Sequence, residues 1–185
     1  MEMFEAINKR ASLKGHISGR DIEEEKITKI LEAARMAPSA RNSQPWRFIV
    51  VRDKEIIKTL ADRVFGESSA TVVDAPVIIV ACANPEDDIV RDGKEYYLFD
   101  VGLAVENMLL AATDLGLVTH AHTGVNAEEL TDILGIPPEV KFVVTTPLAY
   151  PTEASYEEAA QDRLAERTRK DLKELVYTDG WGKTA

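Results

Sequence analysis

Apolar residues recur at helical steps along much of the chain and run together in a few short stretches. Met3, Phe4 and Ile7 predict a short first helix, with a polar break over residues 14–19. Ile27, Ile30, Leu31 and Ala34 mark one face of a second helix. Asp21 and Glu24 read as a capping box at its start, and Pro38 stops it. Residues 48–51 are β-prone, and Asp53 is placed to cap a helix carrying Ile56, Ile57 and Leu60. The unbroken apolar run from Val77 to Ala83 predicts a strand buried on both faces. Cys82 lies inside that run and reads as a small core residue.

Residues 96–115 form the strongest helical pattern. Leu98, Val101, Val105, Met108, Ala112 and Leu115 step by three and four, while Leu103, Leu109, Leu110 and Ala111 add apolar surface elsewhere. A helix apolar nearly all round belongs in a core or an interface. Gly116 is suited to end it. A strand is expected over residues 118–122. Asn126 with Glu129 reads as a second capping box, opening a short helix that ends at Gly135 before Pro137 and Pro138. Residues 140–148 form the last strong strand, and the tail carries a short amphipathic piece with Leu172, Leu175 and Val176. The order is α/β or α+β, with roughly four or five strands. The chain has no Gly-rich strand-to-helix turn of the dinucleotide-binding kind and no phosphate loop of the GxxxxGK[ST] form.

The chain has 185 residues, which suits one domain. Lys and Arg total 22 against 32 Asp and Glu, a net charge of −10. Such a field repels nucleic acid and anionic membranes. No apolar run approaches a membrane span and the N-terminus has no signal-peptide core, so a cytoplasmic location is expected. One cysteine excludes an intrachain disulfide and a four-thiolate zinc site.

Two basic clusters interrupt this acidic background. Arg10, Ser12 and Lys14 alternate, so an extended segment presents a guanidinium, a hydroxyl and an ammonium on one side. Arg163, Arg167, Arg169 and Lys170 form the second cluster. Taken singly, the first reads more simply as a solvated stretch and the second as a salt-bridged helix face. Between two prolines lie Ser39, Asn42, Ser43 and Gln44, a stiff donor-rich loop suited to the edge of a planar heterocycle; the plainer alternative is a helix stop and turn. Trp46 after it reads as a core anchor. His120 and His122 share a face if extended, but no carboxylate stands at a metal-motif spacing, so metal binding is disfavoured.

These segments together resemble the nitroreductase family, a group of FMN-dependent enzymes. Its Arg-x-Ser-x-Arg/Lys pattern reads Arg10-Ala11-Ser12-Leu13-Lys14 here. Its Ala-Pro-Ser-x-x-Asn-x-Gln-Pro-Trp block reads Ala37-Pro38-Ser39-Ala40-Arg41-Asn42-Ser43-Gln44-Pro45-Trp46. Further agreement comes from Asp74, Ala75 and Pro76 before the apolar strand, the long helix with Asn107-Met108-Leu109-Leu110-Ala111-Ala112, and Pro147-Leu148-Ala149-Tyr150-Pro151. The resemblance implies a three-layer sandwich with a mixed, mainly antiparallel sheet and a long helix at a homodimer interface. It also implies one domain over residues 1–185, whose C-terminal tail wraps the partner subunit.

The resemblance implies FMN as cofactor and NADH or NADPH as transient donor. Nitroaromatics, quinones or similar small acceptors would be reduced in a ping-pong cycle through flavin N5, with no protein acid or base required. Arg10, Ala11, Ser12 and Lys14 would hold the phosphate and ribityl chain, and Arg167 and Arg169 would complete the phosphate site. Pro38, Ser39, Ala40, Asn42 and Gln44 would lie along the isoalloxazine from the other subunit. His122, Thr123 and Gly124 would approach N5. Ser68 is the nearest counterpart of a flavin-touching Asn in the family, and the short stretch between Cys82 and Tyr96 implies an open pocket. Other flavin chemistry (flavin or ferric reduction, ene-reduction, dehalogenation), a non-catalytic FMN binder and a flavin-free phosphate module stay open as alternatives.

Overall fold

The computed structural model describes residues 2–183. It contains the helices α1 (Met3–Lys9), α2 (Glu24–Arg35), α3 (Lys54–Arg63), α4 (Tyr97–Asp114), α5 (Ala127–Leu134), α6 (Tyr156–Ala165) and α7 (Leu172–Leu175). The strands are β1 (Trp46–Val51), β2 (Val77–Ala83), β3 (Val90–Arg91), β4 (Lys94–Glu95), β5 (Val118–Thr119) and β6 (Lys141–Ala149). The main sheet runs β1-β2-β6-β5, and β3 and β4 form a separate hairpin. The expected mixed sheet is in fact antiparallel at every pairing among the described strands.

Strand β2 organises the core, and all seven of its residues are buried. Successive side chains point to opposite faces. Ile78, Val80 and Cys82 face α3, α5 and α6, where Leu60, Leu130 and Ala160 meet them. Val77, Ile79, Ala81 and Ala83 face α2 and α4, against Ile30, Ala34, Val101 and Met108. The chain is thus three layers, α+β, with two cores divided by one sheet. Burial raises the Cys82 thiol to about 11, which makes it a packing residue rather than a nucleophile. No described helix is long and apolar enough to cross a membrane.

Several boundaries follow local chemistry. The Asp53 carboxylate accepts from the N–H groups of Glu55 and Ile56 at the head of α3. Asn126 caps α5 by accepting from Glu129 N. At the end of α4, Gly116 has φ 72°. Its N–H donates to Thr113 O, and Leu117 N donates to Ala112 O, the paired bonds of a Schellman motif.

Other expectations are corrected. Helix α2 begins at Glu24 with Glu23 as its cap residue and no side-chain cap, so Asp21 and Glu24 form no box. Strand β5 stops at Thr119 rather than reaching residue 122. Its register pairs Val118 with Ala149 and Thr119 with Leu148, and resumes where His122 bridges Thr145. That register sets His120 opposite Pro147, which has no N–H to give, so the ladder breaks there. The β3–β4 hairpin had no counterpart in the sequence reading, and α6 entered it only as the salt-bridged helix face weighed for the second basic cluster. Half of α6 is polar, and it buries only Tyr156, Ala159 and Ala160.

Replacing Asp53 with Ala should cost about 1 kcal/mol of stability, because two amides at the head of α3 lose their acceptor. Asp21→Ala should be nearly neutral. Urea unfolding at one fixed protein concentration compares the two; equal losses would contradict the cap assignment.

Candidate functional site

The first candidate segment leaves α1 in extended form. Ala11 and Leu13 turn into the core, so Arg10, Ser12 and Lys14 face outward on the other side. Helix α6, from the opposite end of the chain, is tied to this segment. The buried Tyr156 hydroxyl accepts from Ala11 N at 2.9 Å and donates to Lys9 O at 3.1 Å. Just beyond α6, Arg167 donates to Asn8 O at 2.8 Å and to Arg10 O at 3.3 Å.

The junction encloses a cavity of about 420 Å³ lined by Arg10, Ala11, Ser12, Arg163, Glu166, Arg167, Thr168 and Arg169. The two basic clusters therefore converge. A second cavity of about 190 Å³ adjoins it, lined by Ser12, Leu13, Lys14, His16 and Arg163. Arg163 borders both, although the sequence reading left it outside the site. Tyr156 was missed as well, and an isolated Tyr in a polar stretch carries no signal for its role. Four guanidiniums against the single Glu166 carboxylate make the larger cavity strongly cationic within a chain of net charge −10. A dianionic phosphate suits this set, since guanidinium forks and a hydroxyl all donate.

Beyond Lys14 the surroundings become apolar. His120 is 1% exposed and His122 is buried beside it, with ring centroids 5.6 Å apart. Phe65 meets His122 edge-on at 5.1 Å. Both nitrogens of His120 and Nδ1 of His122 are buried without a hydrogen-bond partner among the described residues. Burial lowers His120 to about 4, with the neighbouring His122 and the Lys14 ammonium adding to the effect. Burial and then Lys14 also lower His122, while a bond to the Gly124 backbone works the other way. Gly124 stands beside that ring, and a Cβ there would meet His122 Nε2 at an ordinary 3.7 Å. Thr123 and Gly124 are exposed. Buried polar atoms without partners are rare, so three in one place point to a polar group that completes them.

The proline-bounded loop lines neither cavity within one chain. It contains a short 3-10 turn, Ala40–Asn42, and three non-glycine residues with positive φ: Arg41 (53°), Asn42 (59°) and Gln44 (50°). Ser39 Oγ accepts from Gln44 N at 3.0 Å. Ser43 Oγ donates to Asp88 Oδ1 at 3.0 Å, and Ala40 N donates to Asp100 Oδ2 at 2.7 Å. Pro38, Asn42 and Gln44 remain exposed, and Trp46 is buried as an anchor. Ser68 sits in the 3-10 turn Gly66–Thr71 after α3, bonded through its backbone to Phe65 O, and lines neither cavity.

The profile of the Nitroreductase family matches residues 7–73 and 68–150 of this chain. A protein of Archaeoglobus fulgidus, provisionally named an NADH dehydrogenase/NAD(P)H nitroreductase, is 37% identical over 169 residues, covering 88% of this chain and 93% of its own. The crystal structure of a nitroreductase family protein from Clostridium novyi NT superposes with a TM-score of 0.78 at 34% identity, covering 100% of this chain and 97% of that one. A Desulfovibrio desulfuricans protein, provisionally named a nitroreductase and solved in complex with FMN, gives a TM-score of 0.74 at 25% identity, with 96% of each chain covered. Profile, sequence and fold agree over most of the molecule, and the chain belongs to the Nitroreductase family.

Proposed function

We propose that this protein is an FMN-dependent NAD(P)H oxidoreductase that reduces small acceptors such as nitroaromatics or quinones, and that it works as a homodimer. One observation supports this reading above the others: Arg10, Ser12, Arg167 and Arg169, from opposite ends of the chain, converge on one cavity of phosphate character. Bound FMN supplies hydride and electron transfer between a reduced nicotinamide and the acceptor.

The chain's own residues hold and tune it. Arg10, Arg167, Arg169 and the Ser12 hydroxyl bind the phosphate end, with Arg163 as a further cation. Lys14 carries positive charge from that cavity towards the histidines and offsets negative charge arising on a reduced ring. His120 and His122 supply buried ring nitrogens in a dry setting.

A second copy of the chain completes the site. The loop bearing Ser39, Asn42 and Gln44 lines no cavity in one chain, so its exposed donors are available to a partner. Apolar surface supports the same reading. Phe4 is 71% exposed, and Met3, Met36, Leu98 and Phe99 are exposed with it on α1, on α4 and at the end of α2. The tail, with Leu172, Leu175, Val176 and Trp181 in water, is suited to wrap that partner. Monomers rarely leave so much large apolar surface uncovered.

The visible spectrum of purified protein, before and after anaerobic NADH or NADPH, tests cofactor and donor together. A flavin band that bleaches is expected; a protein that stays colourless after FMN is added would end the reading. A panel of nitroaromatic, quinone, flavin, ferric and halogenated acceptors then separates the chemistries.

Arg10→Ala should weaken FMN binding by about 2 kcal/mol, roughly thirtyfold, with little change in melting temperature. Its native contact is a loose 3.5 Å pair with the half-exposed Glu106. Arg167→Ala should weaken binding and also lower the apoprotein melting temperature, because two backbone carbonyls lose their donor. Titration and thermal melts of apoprotein distinguish the pair; unchanged affinity in both would remove the phosphate assignment.

His120 should stay neutral from pH 8 down to about 5. Its folded pKa of about 4 lies below the ordinary 6.5, so the unfolded chain takes up a proton that the fold refuses. Stability should therefore fall as pH drops from 6.5 towards 4. Imidazole nitrogen NMR shifts read the titration directly, and a midpoint near 6.5 would show that the ring is solvated.

A further inference from the structure

The loop that carries the exposed donors holds an unfavourable backbone. Arg41, Asn42 and Gln44 all lie in the left-handed region with no glycine among them. Such conformations cost energy and persist only where surrounding contacts over-determine them. Two carboxylates lie beneath the loop. Asp100, in the first turn of α4 and 1% exposed, accepts from Ala40 N at 2.7 Å. Asp88, just before β3, accepts from Ser43 Oγ at 3.0 Å and from its neighbour Ile89 N at 2.7 Å, both through Oδ1. Its other oxygen, Oδ2, is buried with no donor among the described residues. Asp88 is a neighbour of Asp100 that raises its carboxyl both as a like charge and through side-chain bonding. Two acceptor-only groups in that position repel each other, and one proton turns the contact into a bond.

We propose that Asp100 is the positioning residue of the 39–44 loop: it carries a proton donated to Asp88 while accepting from Ala40 N–H, so the two carboxyl groups act as one clamp that sets the loop against the flavin of the partner. The inference rests on the flavin reading above for what the loop does, and on this chain alone for how the loop is held.

The charges around the pair favour this state. Burial raises the Asp100 carboxyl above the usual carboxylate range, and the like charge of Asp88 raises it further. The Ala40 N–H and the amino-terminal end of α4 pull the other way. Among the other charged groups of the packed elements, Arg47 and Asp87 neutralise each other at 2.9 Å. Arg41 is exposed on the loop, and Glu95, before α4, acts on Tyr97. As pH rises and the shared proton leaves, two negative charges remain under the loop, and its hold loosens.

Asp100→Asn copies the protonated acid: its carbonyl oxygen accepts from Ala40 N–H and its amide donates to Asp88. Asp100→Ala removes both bonds. Hydrogen exchange of the Ala40, Asn42, Ser43 and Gln44 amides in apoprotein measures the clamp without flavin, and FMN titration measures its consequence. Asp100→Asn should keep wild-type protection and FMN affinity, with protection that no longer falls as pH rises. Asp100→Ala should lose roughly tenfold in both. An Asn variant as unprotected as the Ala variant, or an Ala variant protected like wild type, would overturn the clamp. If the Ala variant fails to fold, the pH series of wild type against Asn decides alone: parallel curves overturn it. Loss of protection with unchanged FMN affinity would refute the loop's role at the flavin. A protein that takes up no FMN in any form would end the flavin reading and leave the exchange result standing.

Discussion

The candidate site depends on a bond between the two ends of the chain. The Tyr156 hydroxyl joins Lys9 O to Ala11 N, and Arg167 joins Asn8 O to Arg10 O. Each of these contacts closes a loop of about 150 residues. The closure entropy grows only slowly with loop length, and the sheet between the two ends has already met most of it. Once closed, the junction sets guanidiniums from both segments around one cavity. Without it, the two clusters are a solvated strand and a salt-bridged helix end, as each looked in isolation.

The site changes character along its length, and elementary electrostatics explains the change. At the Arg10 end it is cationic, lined by four guanidiniums. Past Lys14 it becomes dry, and burial first, with the Lys14 ammonium adding to it, lowers both His120 and His122. A ligand with an anionic head and a flat, hydrogen-bonding body matches that gradient. The negative field of the rest of the surface sharpens the contrast with the cationic cavity.

The loop from Pro38 to Gln44 follows a different logic. Its prolines suggested stiffness from φ restriction, yet the strained residues stand between them and need bonds from elsewhere. Asp88 and Asp100 provide those bonds from the hairpin side and from α4. A polar pair under a functional loop gives up some stability and fixes one conformation in return. Asn42 and Gln44 stand outermost on the exposed face that results.

What the sequence determined by itself was local. An unbroken apolar run placed β2, and helical spacing with caps and stops placed α3, α4 and α5 closely, because burial and chain reversal leave local marks on the sequence. Asp53, Asn126 and Gly116 announced their caps, since a cap needs only neighbouring amides. The ten-residue block from Ala37 to Trp46 carried the family. Helix α6 left no apolar period, because two alanines and one tyrosine bury too little, and only its charges hinted at a helix face. Only the tertiary structure decided that Pro147 would stand opposite His120 and end β5, that Tyr156 would fasten the termini, and that Asp88 would meet Asp100. Each of these is a contact between residues far apart in the chain, and side-chain chemistry at one position does not specify which distant position the folded sheet will bring beside it.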